Sequence, residues 1–117
     1  MELLPSQVGS QQSLKKLNLF RTNIKDLPST IVCLSNLELL MLGSPLLGAL
    51  PSLFGNLSAL KELWLHGCPE LKCFPDSVCM LSQLTRLKIN ECGIQYLPPD
   101  LMNMKSLELL KVTRSPL

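Results

Sequence analysis

Leucines fall along this chain in a fixed rhythm. Units that begin at Leu14, Leu37, Leu60, Leu84 and Leu107 each open with apolar residues at their first, fourth and sixth positions. In the third unit these are Leu60, Leu63 and Leu65; in the fourth, Leu84, Leu87 and Ile89. The last three positions of the block alternate, as a short strand does when one of its faces is buried. A proline then recurs: Pro5, Pro28, Pro51, Pro75 and Pro98 are separated by 23, 23, 24 and 23 residues. A helical reading of the leucines fails, because that proline lies inside every complete unit. A constant period of this length marks a solenoid. The third unit carries one extra residue, between Cys68 and Pro75.

The physics of such a chain follows from the spacing. Stacked units set their short strands side by side as a parallel sheet, about 4.8 Å apart. The remaining leucines turn inward from the return segment. No unit buries its apolar face alone; its neighbours do that. The return segment is longer than the strand, so the stack curves with the strands on its inner side.

Five repetitions of LxxLxL, each with a small or polar residue three positions after its last leucine, resemble the leucine-rich-repeat family. So do "LPSTIVCL", "LPSLFGNL", "FPDSVCML" and "LPPDLMNM", which complete the units. The resemblance spans residues 4–117 and implies a right-handed α/β solenoid, a horseshoe fragment with a parallel sheet on the concave face and loops or short helical turns on the convex face. The division is a partial repeat over 1–13, full repeats over 14–36, 37–59, 60–83 and 84–106, and a partial repeat over 107–117. In this family the position after LxxLxLxx is usually Asn or Cys, bonding to backbone that no regular structure satisfies. Here that ladder reads Thr22, Pro45, Cys68, Cys92 and Ser115. Proline cannot donate, so Pro45 predicts an irregularity in the second unit.

Alternation sets which side chains face out on the sheet. Trp64, between the inward Leu63 and Leu65, lies on the concave surface; a slip of one residue would expose both leucines. Its column across the units is Asn18, Met41, Trp64, Lys88 and Lys111. The column before is Lys16, Leu39, Glu62, Arg86 and Leu109, and the column after is Phe20, Gly43, His66, Asn90 and Thr113. Phe20, Leu39, Met41 and Trp64 form an outward apolar cluster, the kind of patch that marks an interaction site. His66 borders it. Arg86, Lys88, Lys111 and Arg114 form a basic end beside it. With the first x of LxxL and the residue before the ladder counted as two further columns, the concave columns hold eight basic and four acidic residues, against three and five in the rest of the chain. An acidic protein surface is the partner this charge suits.

Composition narrows the function class. Over 117 residues, apolar residues make up 46% and aromatics 4%, so leucine carries the core. A net charge of +2 is too small for a general polyanion binder, so nucleic acid is not an expected partner. No apolar run of about 18 residues exists to span a membrane, and "MELLPSQVGSQQS" lacks the basic flank and apolar stretch of a signal peptide. Five cysteines with no CxxC argue against a complete disulfide framework and fit a reducing, cytoplasmic setting. His66 and Cys68 do not make a thiol dyad, since one faces out and the other in. Cys68, Cys73, Cys92 and His66 have no zinc-motif spacing. No phosphate-binding glycine loop is present. No catalysis, metal or cofactor is expected.

The style of "LKELWLHGCPELKCFPDSVCMLSQLTRLKINECGIQYLPPDLMNMKSL" resembles the C-terminal repeats of plant nucleotide-binding leucine-rich-repeat immune receptors. That resemblance implies effector sensing and autoinhibition through contacts with another domain of the same receptor. Two alternatives stay open: an intracellular Ras-group scaffold, which also uses LPxxI, and a receptor-kinase ectodomain. "LLGALPSLFGNLSAL" resembles the latter, and Asn56-Leu57-Ser58 is a glycosylation sequon. Neither end reads as a polar cap, so self-association through the ends is a further expectation. Cys68 and Cys92 are expected as ladder neighbours that remain thiols; titration under denaturant should find all five sulfhydryls, and finding three would overturn the reducing compartment.

Overall fold

The computed structural model describes residues 13–117. The expected partial repeat over 1–13, with Gln11 at a leucine position, lies outside the described residues except for Ser13. Five strands form one parallel sheet in chain order: β1 (Lys16–Leu19), β2 (Leu39–Leu42), β3 (Glu62–His66), β4 (Arg86–Asn90) and β5 (Leu109–Thr113). A short 3-10 turn follows each of the first four strands, at Ser29–Cys33, Phe54–Asn56, Asp76–Met80 and Pro99–Asn103. Strands line the concave side and the turns the convex side of a leucine-rich-repeat solenoid.

Register is set by the leucines. Leu17, Leu40, Leu63, Leu87 and Leu110 stand in one row, and Leu19, Leu42, Leu65, Ile89 and Val112 in another. The rows are fully buried in the middle of the stack: Leu40, Leu42, Leu63 and Leu87 expose nothing. Leu17, Leu110 and Val112, on the first and last strands, are half-buried. That gradient is what stacking predicts, since among the described residues β1 and β5 each have one neighbouring strand. Each strand is keyed to the one before it by a shared carbonyl. The Lys15 carbonyl accepts from the Glu38 and Leu39 amides, and Lys61 accepts from Thr85 and Arg86 in the same way.

The prolines start the convex turns. The Pro28, Pro75 and Pro98 carbonyls each accept from the amide three residues on, Ile31, Val78 and Leu101, at 3.0 Å. At such a position the missing N–H of proline costs nothing, and its fixed φ suits the turn. The turn aims one apolar residue inward: Ile31, Phe54, Val78 and Leu101 are all completely buried. These close the core against the strand leucines from the opposite side.

Between strand and ladder the chain bends through a left-handed residue. Arg21, Gly67, Glu91 and Arg114 have φ of 58°, 74°, 56° and 52°, each one position before its ladder residue. Three of the four are not glycine, and each such residue costs about 1–2 kcal/mol locally. The second unit has no such residue. There Gly43 runs directly into Ser44, and Ser44, only 1% exposed, donates to the Ile24 carbonyl at 2.6 Å. Pro45 is exposed and does not stand on the ladder. The irregularity expected from proline is therefore a one-residue shortening: a hydroxyl takes the corner and proline moves out to solvent. The lost residue is regained before Leu47. In the third unit the extra residue is taken up beyond Cys68, where the Leu71 amide bonds back to the Cys68 carbonyl at 3.2 Å.

Two glycines separate conformational from steric cost. A Cβ on Gly67 would meet nothing within 4 Å, but the residue's φ is left-handed. A Cβ on Gly55 would run into the Ser77 carbonyl of the next unit. Gly67→Ala should therefore cost about 1 kcal/mol, and Gly55→Ala about 1–3 kcal/mol by forcing two units apart. Urea unfolding followed by circular dichroism should rank them in that order; the reverse order would contradict the packing at the convex turns.

Candidate functional site

The three outward columns come together as continuous rows. Met41, Trp64, Lys88 and Lys111 are register partners on β2 to β5. Leu39, Glu62, Arg86 and Leu109 form the row on one side, and His66, Asn90 and Thr113 the row on the other. Burial alternates as the strand period requires: Leu63 and Leu65 are buried while Trp64 is half-buried on the concave surface.

Trp64 is held from two sides. Its indole Nε1 donates to Glu62 Oε1 at 3.2 Å, and the Lys88 ammonium sits 4.3 Å over its ring. Lys88 reaches that ring because the two residues are register partners on adjacent strands. A cation over an indole face is worth about 0.5–1 kcal/mol when exposed. Phe20, Leu39 and Met41 are half-buried rather than open, so the apolar cluster partly covers itself. Phe20 and His66 meet across the intervening strand, ring centroids 6.0 Å apart and tilted by 58°. Gly43, between them in the stack, has no side chain to keep them apart.

From His66 the row continues by hydrogen bonds. Asn90 Nδ2 lies 2.7 Å from His66 Nδ1, and the Thr113 hydroxyl donates to Asn90 Oδ1 at 2.6 Å. Asn90, Thr113 and Glu62 were not singled out in the sequence. They stand in the right columns, but nothing in their residue types distinguished them from solvated neighbours. Leu109 stands in its column too, and at 38% it is the most open large apolar side chain on this surface.

The basic residues gather at the β4–β5 end. Lys88, Lys111 and Arg114, with Ile89, Asn90 and Thr113, line an open depression of about 400 Å³. Arg114 is paired with Glu91 at 2.8 Å. Arg86, in the Leu39 row, is exposed and does not line the depression.

Beneath this surface runs the ladder. Thr22 Oγ1 lies 3.1 Å from the Leu19 and Gly43 carbonyls, and the Cys68 thiol donates to the Leu42 carbonyl at 3.8 Å. Cys68 and Cys92 are buried neighbours that carry thiols in the structure. The interaction with neighbouring Cys92, with burial, pushes the Cys68 thiol far up, and the interaction with Cys68 draws Cys92 down to about 7. Burial keeps both from solvent, and His66 faces the opposite side of the sheet, so they form no dyad with it. Among the described residues no group of three or more His, Cys, Asp or Glu is arranged to hold a metal ion, and no helix is long and apolar enough to cross a membrane.

The two substitutions at the heart of β3 separate face from core. Leu63→Ala should cost about 2–5 kcal/mol, as a buried leucine does. Trp64→Ala, half-buried, should cost about 1 kcal/mol. Circular dichroism melts are the measurement, since Trp64 is the sole tryptophan; equal losses would mean that Trp64 belongs to the core.

No family model matches the chain. Solved structures do. The leucine-rich repeat domain of the type III effector XopL is 30% identical over 97% of this chain and 41% of its own, with a TM-score of 0.88. A leucine-rich-repeat protein of Leptospira interrogans is 28% identical over 99% of this chain and 29% of its own, at a TM-score of 0.91. Drosophila Toll, in its complex with Spatzle, is 19% identical and covers 98% of this chain and 19% of its own, at a TM-score of 0.72. The chain thus spans less than half the length of each of these three chains. The parallel sheet, the ladder and these neighbours make the chain a leucine-rich-repeat solenoid.

Proposed function

We propose that the concave sheet is a protein-recognition surface, with Trp64 as anchor, Phe20, Leu39, Met41 and His66 around it, and Arg86, Lys88, Lys111 and Arg114 steering an acidic partner. The observation that carries this reading is the Met41–Trp64–Lys88 row. It sets a large indole, half-desolvated and fixed by Glu62 and Lys88, beside a basic depression. Aromatic anchors of this kind dominate binding energies at interfaces. Toll, which shares this fold over the length of the chain, is held in a complex with Spatzle.

The finer reading rests on repeat style. The chain is one leucine-rich-repeat domain, working in the cytoplasm as part of the sensing and autoinhibitory region of a plant immune receptor. Its partner is an effector, a host protein or another domain of the same receptor. The described neighbours come from a type III effector, Leptospira and Toll, so support for the plant reading is confined to the repeat style of "LKELWLHGCPELKCFPDSVCMLSQLTRLKINECGIQYLPPDLMNMKSL" and the irregular unit lengths. A Ras-group scaffold or a receptor-kinase ectodomain is the alternative. The coding sequence around the chain decides: an upstream nucleotide-binding domain supports the receptor, and a secretion signal removes it. Self-association would use the two ends of the stack, where β1 and β5 are the edges of the sheet among the described residues.

Binders selected against the protein from a peptide-display library test the face itself. Trp64→Ala should cost them about 2 kcal/mol or more. Lys88→Glu should slow association and flatten its salt dependence. Met102→Ala, 72% exposed on the convex side, should change nothing. Binders that ignore Trp64→Ala and fail on Met102→Ala would move the site to the convex face.

A further inference from the structure

The two strands that end the sheet place like charges against each other. Lys88 and Lys111 are direct register partners on β4 and β5. Like charges directly opposite across strands destabilise a sheet. Arg114 adds a third cation to the same depression. Of the three, only Arg114 has a carboxylate partner among the described residues, Glu91 at 2.8 Å. Lys88 is held over the Trp64 ring, which steadies the ammonium without neutralising it. Lys111 has no acidic partner among the described residues.

Three cations and one paired carboxylate leave a local excess of two positive charges. The depression also holds the Thr113 hydroxyl and the Asn90 amide, themselves bonded at 2.6 Å, so its polar wall is ordered. A phosphate monoester carries about −1.5 to −2 charges and three acceptor oxygens at neutral pH. Its charge matches this excess, and arginine and lysine are its usual donors. A single carboxylate would leave one of the two lysines uncompensated.

We propose that the depression between β4 and β5 binds the phosphoryl group of a phosphorylated side chain on the docked protein, held by Lys88, Lys111 and Arg114. This rests on the concave face being the docking surface. The phosphoryl group relieves the Lys88–Lys111 repulsion and lies beside Trp64, so the partner's flanking residues reach the apolar cluster while its phosphate occupies the basic end. Docking is then switched by modification of the partner.

Three degenerate peptide pools, with a central phosphoserine, serine or glutamate, test this by titration against the intact chain. The phosphoserine pool should bind about tenfold or more tighter than the other two. Lys111→Met should erase that preference, while Trp64→Ala should weaken the phosphoserine and serine pools alike. A melt in inorganic phosphate against chloride of equal ionic strength gives a readout free of peptides. The wild type should be stabilised by phosphate, and Lys111→Met should not. Lys111→Met should itself melt no lower than wild type in chloride, because it removes a repulsion, so a folding defect is excluded in the same experiment. Equal binding of phosphoserine and serine pools, both lost with Trp64→Ala, would overturn the phosphoryl site and leave the docking surface standing. Equal binding of phosphoserine and glutamate pools, or phosphate stabilisation that survives Lys111→Met, would also overturn it. Silence of all pools would overturn both readings, as would binding only to phosphatidylcholine vesicles containing a phosphoinositide.

Discussion

Everything in this molecule depends on the inability of a single repeat to bury its own leucines. A unit contributes one short strand and one return segment, with apolar residues pointing at each other across a gap too thin to exclude water. Cover comes from the unit on either side. Leu40, Leu63 and Leu87, each flanked by two neighbours, expose nothing, while Leu17 and Leu110 at the outer strands are half-buried. The register follows from this need. A one-residue slip in any strand would expose its leucines and bury the outward row, so the stack holds Trp64 on the surface as firmly as it holds Leu63 inside.

The corners of the solenoid are held by a second constraint, the carbonyls left over where strand gives way to loop. Unpaired buried backbone groups are costly. A hydroxyl or thiol meets them at Thr22, Ser44 and Cys68. Four units reach this corner through a left-handed residue, in three of them without glycine. The second unit omits that residue and still satisfies its corner through Ser44. The corner carbonyls thus govern where the chain turns, and the residue count adapts around them.

The concave surface inherits its organisation from the same stacking. Because equivalent positions recur about 4.8 Å apart, any two chemical types placed in one column are brought together. Trp64 meets Lys88, His66 meets Asn90, and Lys88 faces Lys111. An apolar anchor and a concentration of positive charge arise on neighbouring strands without any loop being shaped to make them. The sheet belongs to the fold; the chemistry it presents is set by short columns of side chains.

The sequence by itself determined the architecture, because the period of the leucines and prolines reports burial directly. From that period came the five strands, their parallel order, the convex turns after proline and the outward direction of Trp64. Tertiary structure alone decided what depends on contacts between units. Pro45 counted as the ladder residue by spacing, yet Ser44 holds the corner, since counting cannot register a residue lost on one side of the ladder and regained on the other. The apolar cluster read as open, yet Phe20, Leu39, Met41 and Trp64 are half-buried; His66 meets the Phe20 ring and Lys88 covers the Trp64 ring, contacts that exist only between units. Asn90, Thr113 and Glu62 went unselected, as a hydrogen-bonded row exists only when side chains from three units are set at bonding distance. A column shows which residues are adjacent; only the folded chain shows which way each one bends to meet the next.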